Sequence, residues 1–248
     1  MPRKEHEHPL LDNEARDVAL FAVVAGLAVA ISVLVAIPST FDDVQRYDDA
    51  FLRFVLRNRT GWLTGVAKAL NVLGSVWVIL PVRILAAVYL IFRRRWWHVA
   101  AFISAIVLSE VVINLMKSAY DRPRPPGSLV ATTSSSFPSG HAVATATTAV
   151  ALVIAFFPTG RQRAVWGTVA AIFSFLMALS RAYLAAHWLT DAVVGTLIGV
   201  ACALGTALVV EEIRERLETE AETPVSDANG AGVRPPPEAG PPAADPVP

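Results

Sequence analysis

One cysteine stands among the 248 residues, Cys202, and it lies inside an apolar run. A single thiol excludes an internal disulfide and any cluster of thiolates around a metal. Its ordinary role in such a run is that of a small buried apolar side chain. Charge is scarce as well. Charged residues make up 17% of the chain, where a soluble domain carries about 25%. The 21 basic residues balance the 21 acidic ones, so no net charge draws the chain to a nucleic acid. Apolar residues take the place of the missing charge, at 54% of the chain with a mean hydropathy of +0.49. That balance points to a membrane protein.

A membrane span needs about 20 mostly apolar residues. Six runs qualify or nearly so: Val18–Pro38, Val72–Phe92, Trp97–Met116, Ala142–Phe157, Val165–Ala182 and Trp188–Val210. The fourth and fifth are short and rich in alanine and threonine. The first, at 21 residues, exceeds a signal-peptide core of about 7–15 and predicts an uncleaved span. No repeat of fixed period is present. From Thr219 to Pro248 the chain holds eight prolines and three glycines, a composition that predicts a disordered tail. The expected organisation is a cytoplasmic N-terminus over 1–17, a six-span domain over 18–210 and a cytoplasmic, proline-rich, mostly disordered tail over 211–248.

Basic residues in short loops set the orientation. Arg93, Arg94 and Arg95 should be cytoplasmic, and Arg161 and Arg163 fall on the same side two spans later. Arg3, Lys4 and Arg16 before the first span, and Arg214 and Arg216 after the sixth, agree. Both termini are then inside. Arg46, Arg53, Arg57 and Arg59 dissent, interleaved with Asp42, Asp43, Asp48 and Asp49. Phe51, Phe54 and Val55 recur there at helical spacing, which predicts an amphipathic surface helix over Asp42–Arg59.

With this topology three polar segments share the outer side: the first loop, Lys117–His141 and Ser180–Asp191. Lys117, Arg124 and Arg181 are cations from two different loops, and such a set suits a tetrahedral dianion. Each alone would read as a side chain reaching for lipid headgroups; beside two histidines they read as a site. In SFPSGHAVA, Ser136 to Ala144, Pro138 halts the loop and Ser139 is a good N-cap. Gly140 admits a ligand close to the backbone, and the N-terminus of the following helix favours an anion. The cluster is the floor of a phosphate pocket. Ser139 as a nucleophile with His141 as its base is a second reading, but the esterase elbow Gly-x-Ser-x-Gly is absent. His187 and Asp191, four apart, can form an imidazole with a carboxylate behind it, the arrangement covalent histidine catalysis needs. A metal held by His141, His187 and Asp191 is the weaker alternative, because three nearby cations would repel it.

At these residues the chain resembles the type 2 phosphatidic acid phosphatase superfamily, the membrane relatives of vanadium haloperoxidases. The family's K-x6-R-P, P-S-G-H and S-R-x5-H-x3-D stand here as Lys117…Arg124-Pro125, Pro138-Ser139-Gly140-His141 and Ser180-Arg181…His187…Asp191. The resemblance implies an all-α bundle of six transmembrane helices in the cell membrane, with its active site on the extracytoplasmic face. It implies that His187 attacks phosphorus, that Asp191 orients and charge-stabilises His187, and that His141 is the acid and then the base. It implies phosphate binding by Lys117, Arg124, Ser139, Gly140 and Arg181, and no cofactor or metal. The expected activity is hydrolysis of a lipid phosphate or diphosphate: phosphatidic acid, phosphatidylglycerol phosphate or a polyprenyl diphosphate. A phosphotransferase using the same phosphohistidine, and a non-catalytic lipid-binding protein, are the alternatives. The sequence assigns no nucleic-acid partner and no oligomeric state.

Two charges fall inside expected spans, Arg83 and Glu110. Counted from the cytoplasmic ends at 1.5 Å per residue, their depths agree within roughly 5 Å, which predicts an ion pair between the second and third spans. Alternatively, Glu110 leads along one helix face through Asn114 to Lys117 and the site.

Overall fold

A computed structural model describes residues 8–222. The N-terminal residues 1–7 and the proline-rich tail from 223 on, which the sequence predicts to be disordered, lie outside the described residues. Among the described residues there are eight α-helices and no strand: α1 Glu14–Ala36, α2 Pro38–Arg57, α3 Gly61–Leu73, α4 Val76–Phe92, α5 Trp96–Tyr120, α6 Gly140–Phe156, α7 Arg161–Tyr183 and α8 Leu189–Glu222.

Every expected apolar run falls on a helix. α1, α5, α7 and α8 are long and apolar enough to cross a membrane, and α3 with α4 passes as a pair bent by 45°. α6 has 17 residues, roughly 26 Å at helical rise and short of a bilayer's ~30 Å core. It compensates by burial, with Ala142, Val143, Ala146 and Ala151 all inside the bundle. The outer helices keep large apolar side chains on the surface, among them Val29, Leu85, Val107 and Phe175. Such a surface suits lipid rather than water.

Local signals explain the boundaries. Asn13 caps α1 by accepting from the Arg16 amide at 3.0 Å, and Glu14 and Asp17 favour its positive end. Pro38 ends α1 and opens α2 at a position where its missing N–H costs nothing. The amphipathic helix expected over Asp42–Arg59 is α2, starting four residues earlier. Its inner face holds Leu52 and Val55, and also Asp48, which is 1% exposed rather than solvated. α3 was not expected; hydropathy places its last two residues in the second span, while the chain breaks at Gly74-Ser75. The sixth run was expected to end at Val210, but α8 continues through Glu222, with ion pairs Arg214–Glu218 and Arg216–Glu212 on its polar extension.

α8 is the axis of the bundle and packs against α1, α2, α5, α6 and α7. Its contact with α6 is the closest, because Gly195 and Gly199 stand where α6 crosses. A Cβ at Gly199 would sit 2.6 Å from the Val143 carbonyl oxygen, and one at Gly195 would sit 2.7 Å from that of Ser139. Small residues four apart let two helix backbones touch in a membrane.

The expected pair between Arg83 and Glu110 is present at 3.0 Å. Arg83 also donates to the Thr148 hydroxyl at 2.9 Å and to the Ala144 carbonyl at 3.4 Å, so it ties α4 to α5 and α6. Glu110 therefore turns its carboxylate to Arg83 and does not lead to Lys117. Asn114 meets only its main-chain carbonyl, at 2.8 Å.

Candidate active site

The site sits where α5, α6, α7 and α8 end or begin at one face of the bundle. The extended segment between α5 and α6 folds over it. Main-chain bonds fix this segment: Ser136 N–H to the Arg122 carbonyl at 2.8 Å, and Ser139 N–H to the Asp191 carbonyl at 3.0 Å. The second bond joins the start of α6 to the first turn of α8, so the PSGH and S-R-x5-H-x3-D segments share one framework.

His187 is at its centre, in the turn just before α8, and is 3% exposed. Its Nδ1 lies 2.7 Å from the Ser136 carbonyl oxygen, and its Nε2 lies 3.1 Å from Nη1 of Arg124. A carbonyl only accepts and a guanidinium only donates. Nδ1 therefore carries the proton, and the unprotonated Nε2 accepts from Arg124, the cation that would grip an anion. Asp191 was expected to receive the Nδ1–H. Its Oδ2 is 3.7 Å away, and the direct acceptor is the Ser136 carbonyl. Asp191 instead accepts from the Ser136 hydroxyl, from the Trp188 amide at 3.0 Å and from Arg122 at 2.6 Å. It supports the imidazole partly by its charge and partly by holding Ser136.

The cations converge as expected. Lys117 donates to the Ser135 carbonyl at 2.7 Å, and Arg124 reaches the same oxygen at 3.3 Å. Arg124 is also held by the carbonyls of Ser134 and Ala186. Arg181, 2% exposed, donates to the Asn71 side-chain oxygen. His141 stands in the first turn of α6 with Arg181, His187 and Arg124 as its charged neighbours and the Asn71 main-chain carbonyl as its hydrogen-bond partner. Gly74 makes room for Met177 and for that ring: a Cβ there would lie 2.7 Å from Cε of Met177 and 3.1 Å from Cδ2 of His141.

Ser139 occupies the N-cap position of α6, but its side chain makes no capping bond. Its Oγ is buried and without a partner among the described residues. A buried hydroxyl left unpaired is costly, and an incoming phosphate oxygen would relieve it. Beside it, a Cβ built at Gly140 meets nothing within 4 Å, so the backbone is open to a ligand at the helix mouth. Among the described residues no group of three His, Cys, Asp or Glu is placed to hold a metal ion.

All eight residues singled out in the sequence thus gather at one face. Sequence reasoning missed four others: Asn71, Ser136, Arg122 and Asp48. Arg122 stood between Lys117 and Arg124 in the same loop and carried the only available signal, a further cation. Asn71 and Asp48 come from α3 and α2, far away in sequence.

A profile of the PAP2 superfamily matches residues 98–215. The undecaprenyl-diphosphatase of Sulfolobus acidocaldarius is 31% identical over 156 residues, covering 57% of this chain and 68% of that protein. The chain belongs to the PAP2 superfamily. A second relative of this PAP2 protein is phosphatidylglycerophosphatase B of Bacillus subtilis, 27% identical over 164 residues, with 63% and 80% covered. The crystal structure of a transmembrane PAP2-type phosphatidylglycerolphosphate phosphatase from Bacillus subtilis superposes with a TM-score of 0.64 at 25% identity, covering 81% of this chain and 96% of that one. LpxE of Aquifex aeolicus gives 0.52 at 26% identity, with 62% and 91% covered.

Burial, opposed by the Asp191 contact and reinforced by the Arg124 charge, lowers the His187 pKa from 6.5 to about 4. The folded protein thus holds this ring neutral where the unfolded chain would protonate it. The stabilising contribution is fully present above about pH 6.5 and is lost as the pH falls towards 4. Melting temperatures of the wild type and His187→Gln, measured in detergent from pH 8 to 4, should keep a constant gap above pH 7. The wild type should then lose ground against the variant towards pH 4. A gap that stays constant down to pH 4 would show that His187 is not held neutral.

Proposed function

We propose that this PAP2 protein is a membrane phosphatase that hydrolyses a lipid phosphate or diphosphate through a phosphohistidine at His187. The observation that carries the reading is the His187 tautomer: Nδ1–H is held by a carbonyl, and the Nε2 lone pair faces Arg124. In the first step Nε2 bonds to phosphorus and the bond to the leaving oxygen breaks, with His141 supplying its proton. In the second, water attacks phosphorus while His141 takes its proton, and the N–P electron pair returns to Nε2. Lys117, Arg124, Arg181, the Ser139 hydroxyl and the Gly140 N–H hold the phosphate oxygens and the charge that builds on them. Asp191 stabilises the imidazole as it becomes positive.

The remaining expectations fit this reading. Six crossings would comprise α1, the bent α3–α4 pair, α5, a short α6 enclosed by protein, α7 and α8. The basic residues of the short loops support both termini in the cytoplasm and the site on the extracytoplasmic face of the cell membrane. There a phosphate at headgroup depth meets the mouth of α6. The relatives' names favour phosphatidylglycerol phosphate and undecaprenyl diphosphate as the substrates to try first, with phosphatidic acid beside them.

Purified protein in detergent with EDTA, given each of the three lipids, should release phosphate from at least one of them, and the fastest names the substrate class. Release abolished by EDTA would sink the metal-independent mechanism. Loss of the lipid's phosphoryl group to an added alcohol, without release of free phosphate, would reassign the protein as a phosphotransferase.

A further inference from the structure

Arg122 stands at an unspecified position of the K-x6-R-P stretch, yet it is 3% exposed and both of its terminal nitrogens are engaged beside the nucleophile, while Nε has no partner among the described residues. Nη1 donates to Asp191 Oδ1 at 2.6 Å and to the Thr190 hydroxyl at 2.8 Å. Nη2 donates to Gln45 Oε1 at 2.7 Å and to Asp48 Oδ2 at 2.8 Å. The rings of Phe41 and Trp188 flank the guanidinium, each 5.5 Å from its centre. Its main-chain carbonyl accepts the Ser136 amide at 2.8 Å.

Two features separate this cluster from ordinary packing. First, three charges of which none is more than 3% exposed, Asp48, Arg122 and Asp191, are an expensive way to fill space. Desolvating such ions often costs more than an apolar filling of equal volume. Second, Arg122 touches Ser136 by two routes, its own carbonyl and the Asp191 carboxylate, and the Ser136 carbonyl is the acceptor of the His187 Nδ1–H. Asp48 anchors the far end. Its Oδ1 accepts the Thr190 amide at 3.0 Å, so α2 satisfies a free N–H of the first turn of α8, beside the Trp188 amide that Asp191 accepts.

We propose that Arg122, held by Asp48 and Gln45 of α2, is a positioning residue for the nucleophile: it fixes Asp191 and Ser136, and through them the orientation and tautomer of the His187 ring. The proposal rests on the phosphohistidine reading for its effect on rate. Its effect on the ring does not depend on hydrolysis.

The test uses full-length protein in detergent with Arg122→Gln, Arg122→Lys and Asp48→Asn. Per folded molecule, Arg122→Gln should lower kcat about 100-fold with KM within about threefold, the scale of a nucleophile displaced by roughly 1 Å. Arg122→Lys should fail to restore it, because an ammonium cannot make the planar fork to two carboxylates and two side-chain oxygens. Asp48→Asn keeps the acceptor for Thr190 but removes the charge behind Arg122, and should cost about tenfold. Nitrogen NMR of 15N-histidine-labelled protein should show one Nδ1–H tautomer for His187 in the wild type and a mixture of tautomers in Arg122→Gln. A purely structural role would lower the melting temperature and leave kcat per folded molecule and the tautomer unchanged, and that result overturns the proposal. Should Arg122→Gln not fold, Asp48→Asn decides: unchanged kcat and tautomer overturn it. Should the wild type hydrolyse none of the lipids, the functional reading fails while the NMR comparison still judges this one.

Discussion

His187→Ala should release no phosphate above background, with EDTA present, from any lipid the wild type hydrolyses. This is the largest catalytic effect expected for the chain. Among the described residues the other candidates are worse placed: the Ser139 hydroxyl is buried without a base bonded to it, Asp191 is saturated by Arg122, Ser136 and Trp188, and the proposal uses His141 as the acid and base. Removing the ring removes the covalent route, and the loss should exceed roughly 10³-fold. His141→Ala behaves differently. It loses the proton donor and acceptor, a contribution of about 10²–10⁴, but keeps Nε2 and the cations. With a diphosphate, whose leaving group needs little help from an acid, the variant should accumulate an acid-labile phosphoenzyme when given 32P-labelled substrate. His187→Ala should show no label. Residual turnover above about 1% in His187→Ala, or equal labelling of the two variants, would remove His187 from the nucleophile's place.

Gly199→Leu should leave no folded protein, and Gly199→Ala should damage stability and kcat together. The reason is contact between backbones. Even the single Cβ of alanine would lie 2.6 Å from the Val143 carbonyl, 2.8 Å from Ala146 Cβ and 2.9 Å from the Thr147 nitrogen. None of these atoms is the free end of a flexible side chain, so the helices must part. α6 carries His141 and α8 follows His187, and a separation of roughly 1 Å can cost about 10²-fold in rate. Gly167→Ala in α7 is the control. Nothing lies within 4 Å of a Cβ there, and the better helix former should be neutral or stabilising by up to about 1 kcal/mol. Retention time on size exclusion, melting temperature and kcat, compared between the two alanine variants, read the difference. Equal behaviour would mean that α6 and α8 do not meet at Gly199 as described.

These two expectations come from different depths of reading. His141, His187 and Asp191 were legible as one cluster because their motifs stand at the family's spacing, and their roles are those the resemblance implies. The apolar runs were legible because a bilayer demands length, and the Arg83–Glu110 pair because two charges at equal depth must find each other. What was not legible is how distant helices complete the site. Hydropathy merges the end of α3 with α4, so neither the bend at Gly74-Ser75 nor the Asn71 contacts to His141 and Arg181 could be seen. Asp48 fell within the expected amphipathic surface helix with nothing to single it out; it is buried because it meets Arg122 from a loop 74 residues away. Sequence gave Asp191 to His187 directly, by analogy of spacing, while the loop geometry interposed Ser136.

The length of α8 has a consequence at the opposite end. At 1.5 Å per residue its 34 residues extend roughly 51 Å, against ~30 Å of hydrocarbon, and they start at the site itself. About 20 Å of rigid stalk therefore projects from the far face, braced by its own Glu–Arg pairs. The end of α8 thus stands clear of the headgroups, on the same shaft that bears Asp191. A force on that end acts on a lever whose other end is the turn that bears Asp191 and adjoins His187.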